Sequence, residues 1–596
     1  MPETGYWDKT DRFEEKLKLL ETAWARRDYR LARALTASLR NTVLQQEQEH
    51  TPDETPLAPI PAHGRVEDLP AAWREWARGW RRFLVIHLDE TTGQARPPEP
   101  VEVALRFPIG ETVDLSREIR LARVDNGALV ETACQVHGEV ARRDYRACRL
   151  LFLAASPAHT RSTWLVFYGN PDAELPDYPS DLRATGEGFA LDVENDFFRA
   201  SLSRQMGQLE RLTFKREHGL ELFAGGEGHG EPPGIDWAHD YVSSGNFQKL
   251  RITLWDTCPD YEVIRGPVAT IVRRWGFPYS PVHPVFSPSR VHMFVEYRFY
   301  AGLPWFHKTG RIDVIRDVEA DAMRDDEWVF SGQSFTDSVW MGPDGKLRTG
   351  AVDKALADQL WGVGFVNKTA GDAFLALFLE HRGENLPELR HSGAPLMFYK
   401  WHGHVWSRYP LPLKTTVPAG AVLHQRNAYV AMHYREDGAA MVEALRHRLT
   451  NPLAASAGEL PRGVAARSGP GRLARPGEAG DAPVAKQALW EALRECKDEQ
   501  LYRADISVVE LGLIRDIRVR GDVVTVVMQM PHRGRPRLGY FEYGSGGNSM
   551  PVRQRLMRVA GVRKVVVEQT WEPAWSSNRL TSEGRRKLGM EERAGG

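Results

Sequence analysis

From Phe83 to Thr450 the chain is written in short runs where apolar and polar residues alternate, separated by glycine and proline turns. Val101-Glu-Val-Ala-Leu-Arg-Phe107 sets the pattern, and Glu118–Val124, Arg149–Ala154 and Ser162–Tyr168 continue it. Asp125-Asn-Gly127 and Gly169-Asn-Pro171 supply turns between them. A period of two places successive side chains on opposite faces, so each run predicts a strand with one buried side. Strands at this spacing predict a small β domain, sandwich or barrel. A longer, more aromatic series follows: Phe189–Val193, Phe198–Leu202, Leu209–Phe214, Leu250–Asp256, Glu262–Arg274, His292–Tyr300 and Lys308–Val314. Helical spacing interrupts it only at Asp353–Leu360 and Ala439–Leu445, which predicts a large antiparallel sandwich.

The flanks read differently. Asp8–His50 has apolar residues at helical spacing, with Asp28 placed to cap a second helix, so a helical hairpin is expected. Thr51–His63 is a proline-rich linker. Trp73, Trp76 and Trp80 recur at helical spacing in Leu69–Arg82, which predicts an amphipathic helix packing its indoles into a core. Asn451–Pro483 is rich in Ala, Gly, Pro and Arg and reads as a flexible tether. Beyond it comes an α-β-β-β-α-β order: helix Ala485–Cys496, strand Ile506–Val509, a hairpin of Ile514–Val519 and Val523–Met530, helix Pro551–Val559 and strand Arg563–Gln569. The expected chain is multidomain and mainly β. It has a helical region at 1–82, a small β-barrel-like domain at 83–175 and a large antiparallel β-sandwich at 176–450. A flexible linker at 451–483 then leads to a small α+β C-terminal domain at 484–590.

Charge and composition narrow the classes of function. The 596 residues carry a formal net charge of -1, so no global field recruits nucleic acid. No apolar run is long enough for a membrane helix, and the charged start MPETGYWDKT lacks a signal-peptide core; a cytoplasmic protein is expected. The four cysteines, Cys134, Cys148, Cys258 and Cys496, form no C-x-x-C pair and read as buried thiols.

Several residues have the chemistry for a site. His402 and His404 alternate on one strand face in Lys400–Tyr409 and form a half-site for a divalent metal. An elimination reaction beside a carboxylate needs a base and a cation, and His239, Tyr241, Tyr297, His307, Arg408 and Tyr409 supply those types. In the C-terminal domain, Arg533, Arg535 and Arg537 offer bidentate grips for an anion or a partner's carboxylate. Cys496 and His532 are its remaining candidate metal ligands. The glycine-rich loop Gly544-Ser-Gly-Gly-Asn548 reads as a surface loop, since no Gly-Lys-Ser/Thr follows.

Two resemblances add to this reading. Asn195–Leu202, Gly207–Lys215, Gly266-Pro-Val268 and Val295–Pro304 resemble strands of the supersandwich of polysaccharide lyases, and the preceding β domain is similar to the N-terminal barrel of rhamnogalacturonan exolyase-type proteins. Lys497-Asp-Glu499, Ser507–Ile514, Met530-Pro531, Gly561-Val562 and Trp571–Thr581 resemble the metal–sulfur cluster assembly family, which includes PaaD-like and cytosolic iron–sulfur targeting proteins. That likeness implies an iron–sulfur cluster in transit as cargo and a client metalloenzyme or other protein subunits as partners. Such proteins usually carry a cysteine in the turn after the hairpin, where this chain has Arg535 within Pro531–Pro536. Arginine has no lone pair to give a metal. Three readings stay open: an accessory or maturation factor, a lyase-like enzyme acting by β-elimination, and a binding protein without catalysis. The first is preferred, with catalysis by this chain less expected than its absence.

Overall fold

The structure is a computed structural model. It describes residues 7–9, 13–29, 31–33, 35–36, 39, 61–112, 114–141, 144–174, 176–202, 207–215, 221–223, 260–276, 291–314, 317–320, 323, 326–330, 335–386, 389, 397–399, 403–412, 414–460, 463–470, 485–498, 501, 503–529, 541, 551–562, 564–570, 575 and 577–590. It is mainly β and divides into two compact units, Met1–Ala184 with Val193–Leu473, and Thr185–Asp192 with Ala474–Gly596.

In the first unit, the strand Arg82–Asp89 shows how alternation builds layers. Leu84, Ile86 and Leu88 point into a core shared with Val101, Val103, Leu105 and Phe107 of the strand Arg96–Pro108. Phe83 and Val85 point the other way, under the helix Ala71–Trp76, where Trp73 and Trp80 are buried. The two sheets of this region have six and three strands. The indoles do pack into a core, but the helix is shorter than the spacing predicts. Pro70 precedes its first turn, and Gly79 at φ +96° turns the chain toward the strand.

Residues 451–470 depart from the tether expectation. Ala454–Ala457 pairs antiparallel with Arg82–Asp89, and Leu453, Leu460, Val464 and Ala466 pack on the two cores. The composition misleads because an open strand edge supplies backbone partners that a linker's few side chains do not reveal.

The sandwich is built on a ten-stranded, wholly antiparallel sheet. Its central strands in spatial order are Asp260–Arg265, Ala269–Gly276, Val291–Tyr300, Trp305–Val314, Val422–His433 and Asp372–Glu384. Glu262–Arg274, read as one strand, is two, because the Gly266-Pro267 turn folds them into a hairpin. Gln135 Oε1 accepts from the amides of Val268 and Ala269 (3.3 and 2.9 Å) and holds that turn against the small β region. Asp8 and Lys9, expected within the helical stretch Asp8–His50, instead belong to a strand, Trp7–Lys9, at the sheet edge, and the helix runs Phe13–Ala25. Asp353–Leu360 forms turns and a 3₁₀ segment at Ala357–Gln359, while Gly438–Thr450 is a full helix. One face of the great sheet packs on Leu151 and on Val442 and Leu445 of that helix. The opposite face is aromatic and is covered by a ribbon of Asp326–Phe330, Gly403–Arg408 and Met397–Tyr399.

Asn195, at the head of the Asn195-Asp-Phe-Phe run, fixes a corner of the chain. Its buried side chain donates to the carbonyls of Tyr300 and Leu303 and accepts from the amides of Phe197 and Phe198, satisfying every polar atom of a fixed corner.

The second unit has its own core, in which Leu489 and Leu493 of the helix Lys486–Arg494 meet Ile517, Val524, Val526, Val552 and Val565. Ile514–Arg520 and Val523–Gln529 form the expected hairpin, and Lys564–Thr570 adds parallel to its second strand. Ile506–Val509 is not a strand. Ser507 makes one isolated bridge to Lys497, and the chain turns because the Ser507 amide and hydroxyl both donate to Glu510 Oε2 (2.8 and 3.0 Å). A short helix, Ser582–Lys587, follows the last strand and was not expected. Among the described residues, no helix is long and apolar enough to cross a membrane.

Candidate functional site

The densest buried polar group lies on the aromatic face of the great sheet. Register places it there. Tyr297 is opposite Lys308, Lys308 opposite Asn427, and Asn427 opposite Phe378, so one row crosses four strands with side chains on a common face. The next row on that face runs Arg274, Val295, Gly310, Gln425 and His381. The covering ribbon adds its own stripe. Asp326, Trp328 and Phe330 stand opposite Arg408, Trp406 and His404 across the pair of strands, polar at one end and aromatic beyond.

The two layers meet at Asp326. Lys308 Nζ donates to its Oδ1 at 3.0 Å, Asn427 Nδ2 donates to its Oδ2 at 3.1 Å, and the Tyr429 hydroxyl donates to Oδ2 as well. Lys308, Asp326 and Asn427 are 0% exposed, so this ion pair is fully withdrawn from water. Such a pair persists only where further hydrogen bonds back it, and here Asn427 and Tyr429 donate to the same carboxylate. Arg408 Nη1 donates to His381 Nε2 at 2.6 Å and stacks 5.7 Å from the Phe378 ring. Burial pulls the Arg408 guanidinium down to about 9, which leaves it charged at neutral pH. Burial also holds the Tyr429 phenol well above its ordinary range, and the Asp326 carboxylate adds to that.

A second polar group lies within the same unit, on the sheet's other face. Glu102 receives Arg298 Nη1 (2.5 Å), Arg149 Nη1 (2.8 Å) and the His137 ring (3.0 Å). Arg298 continues to Glu296, and Arg273 bridges Glu296 to Glu262. Burial works to raise Glu102, but the positive charges of Arg298 and Arg149, with the hydrogen bond to His137, outweigh it and hold the carboxyl well below its usual range. His307 sits here, 2.8 Å from the Tyr300 hydroxyl, and burial and then Arg426 keep its pKa well below 6.5.

The sequence candidates are therefore divided. Tyr297 and Arg408 share the aromatic face, whereas His307 is on the other side of the sheet. Tyr409 is half-buried just beyond its strand. His404 packs edge-on against Phe335 and Phe365, with centroids 5.5 and 5.0 Å away. His239, Tyr241, His402, His532, Arg533, Arg535 and Arg537, with Cys258 and the 544–548 loop, lie outside the described residues. Lys308, Asp326, Asn427 and Tyr429 escaped the sequence reading. Their signal was a polar residue in the apolar phase of a strand, as Asn427 is between Gln425 and Tyr429.

Chemically, the aromatic-face group offers Lys308, already ion-paired with Asp326, and the Tyr429 phenol, made a weaker acid by burial. At neutral pH that phenol is protonated, so it does not serve as the base that β-elimination needs. In the C-terminal unit, Cys496 is 1% exposed, and burial pushes its thiol up to about 12. Thiolates hold iron–sulfur clusters, and this thiol stays protonated inside a packed core, so the described residues do not fit a cluster held by this chain alone. Among the described residues, no three His, Cys, Asp or Glu side chains gather as metal ligands.

No family profile matches the sequence, and no curated protein does. Among solved structures, a domain of unknown function, DUF59, from Bacillus anthracis is similar at 24% identity, over 18% of this chain and 92% of that one, with a TM-score of 0.15. An alpha-mannosidase from Enterococcus faecalis V583 is similar at 10% identity over 69% of this chain, with a TM-score of 0.40; the match spans 48% of the mannosidase. A putative aldose 1-epimerase from Klebsiella pneumoniae is similar at 11% identity, over 44% of this chain and 83% of that one, with a TM-score of 0.27. All three TM-scores lie below 0.5, so function is argued from this chain's own residues.

Proposed function

We propose that the chain is an accessory factor for a metallocluster-containing protein, docking its client through the C-terminal unit and leaving the cluster to the client's own ligands. The observation that carries this reading is Cys496: the unit has a complete core, and its single thiol is sealed in that core as a protonated thiol. A module with a packed core and no exposed thiolate among its described residues is suited to binding a protein rather than carrying iron. The residue pattern of Ser507–Ile514 and Trp571–Thr581, which resembles the cluster-assembly family, supports this role. Its features have structural causes, since Ser507 and Glu510 close the turn and Trp575 Nε1 donates to the Leu511 carbonyl at 3.0 Å. The elimination reading is weaker, because the Tyr429 phenol, bonded to Asp326, is held protonated.

Anaerobic purification from the native host, with metal analysis and identification of co-purifying proteins, tests the proposal. The expected result is a co-purifying iron–sulfur protein that accounts for all iron in the preparation. Stoichiometric iron and sulfide on the isolated chain, or no metalloprotein partner at all, would overturn it.

A further inference from the structure

The link between the helix Ala71–Trp76 and the strand Arg82–Asp89 borders a cleft of about 560 Å³. Arg65, Arg74, Arg78, Arg81 and Arg82 line it, with Trp80 beside them. Three of these guanidinium groups face carboxylates: Arg65 with Glu67, Arg78 with Glu75, and Arg82 with Glu111. Arg74 and Arg81 are exposed, and their side chains make no hydrogen bond or ion pair with any described residue. The cleft thus carries positive charge in excess of its acidic groups, although the whole chain has a formal net charge of -1. Its floor is fixed. Trp80 Nε1 donates to the Glu118 carbonyl at 2.6 Å, and the Arg120 guanidinium lies 5.4 Å from the Trp80 ring.

Size and charge define the ligand. Small-molecule sites run from about 300 to 1,000 Å³, so the cleft suits a compact molecule and not a nucleic-acid duplex. A guanidinium fork pairs in two-point fashion with phosphate or carboxylate oxygens. Several forks around one cleft match several anionic oxygens held close together, and a lone carboxylate would leave one of the two uncommitted guanidinium charges unmatched. We propose that this cleft binds an oligophosphate, either a free polyphosphate chain or the phosphate tail of a nucleotide. Arg74 and Arg81 supply the uncommitted forks, and the paired arginines hold the rim.

Isothermal titration of the full chain at low ionic strength, with chelator present, tests this using inorganic tripolyphosphate, ATP and citrate. Saturable one-to-one binding of a phosphate compound is expected. The Arg74→Ala/Arg81→Ala variant should bind at least about tenfold more weakly, the scale of losing a charge-assisted hydrogen bond. Both residues are on the surface, so an unchanged far-ultraviolet circular dichroism spectrum should accompany that loss. Arg74→Lys/Arg81→Lys should fall between, because lysine keeps the charge without the fork. ATP binding tenfold tighter than tripolyphosphate assigns the nucleotide; equal affinity assigns the bare phosphate chain. Absence of saturable phosphate binding, unchanged affinity in the alanine variant, or citrate binding as tightly as tripolyphosphate would each overturn the proposal.

Discussion

Asp326→Asn should be among the most damaging single changes in the body of the protein. Asp326 accepts from Lys308 at 3.0 Å and from Asn427 at 3.1 Å, with Tyr429 as a third donor, and both charged partners are 0% exposed. At an effective dielectric of about 20, unit charges about 3 Å apart interact by roughly 5 kcal/mol. Breaking a buried pair by removing one partner typically costs about 3–5 kcal/mol, because the other charge stays withdrawn from water. The asparagine also turns an amide donor toward an ammonium group. Lys308→Met added to Asp326→Asn removes the stranded cation, while the new amide oxygen still accepts from Tyr429. The double variant should therefore recover roughly 2 kcal/mol or more of the loss. Urea unfolding read by peptide-resolved hydrogen exchange separates the body from the C-terminal unit. With a slope of about 5 kcal/mol per molar urea for a body this large, the single variant's midpoint should fall by roughly 0.6–1 M. A single variant within about 0.2 M of the parent, or a double variant no better than the single, would refute the reasoning.

Three further outcomes follow from the same geometry. Burial works to raise Glu296, but the opposing charges of Arg298 and Arg273 outweigh it and set the carboxyl at about 2, below its ordinary range. Its contribution is fully present above the unfolded value near 4.3 and is lost as pH falls through about 2, so urea midpoints of the parent and Glu296→Gln should converge as pH drops from about 4.5 toward 2, whereas parallel curves would contradict the assignment. Cys496, pushed up to about 12 by burial, should resist thiol reagents at pH 8 in the folded chain and react once urea opens the C-terminal unit; rapid labelling of native protein at this position would mean the core is not closed. Gly512 has φ +65°, and a Cβ there would press on the Arg579 carbonyl, so Gly512→Ala should destabilise the C-terminal unit by about 2–4 kcal/mol in a melt read from that unit, and a loss under about 0.5 kcal/mol would argue against this geometry.

Legibility followed the range of the interactions. The hairpin Ile514–Arg520 with Val523–Gln529 was visible because alternation and an Arg-Gly-Asp turn are local. Ile506–Val509 was misread because its β-branched residues look like strand, although Ser507 and Glu510 have the spacing of a capping box and that signal was available. The 451–470 segment was misread for the opposite reason: nothing in its own composition announces the free edge of Arg82–Asp89 that it pairs with. Of the buried group, Arg408 and Tyr297 were singled out by residue type. Lys308 was not, since its meaning depends on Asp326, 18 residues away, and on donors 101 and 103 residues beyond that.

By itself the sequence determined the mainly β class, the antiparallel habit of the strands, the apolar phases that become cores and the absence of a cysteine from Pro531–Pro536. Those are statements about period and residue identity, and both are carried along the chain. Only the tertiary structure decided that Tyr297 and His307, ten residues apart, face opposite sides of one sheet. It also decided that Lys308 meets Asp326 and that Cys496 is sealed. Strand register and layer packing bring together residues distant in sequence, and burial then sets which charges survive and which thiol or phenol keeps its proton.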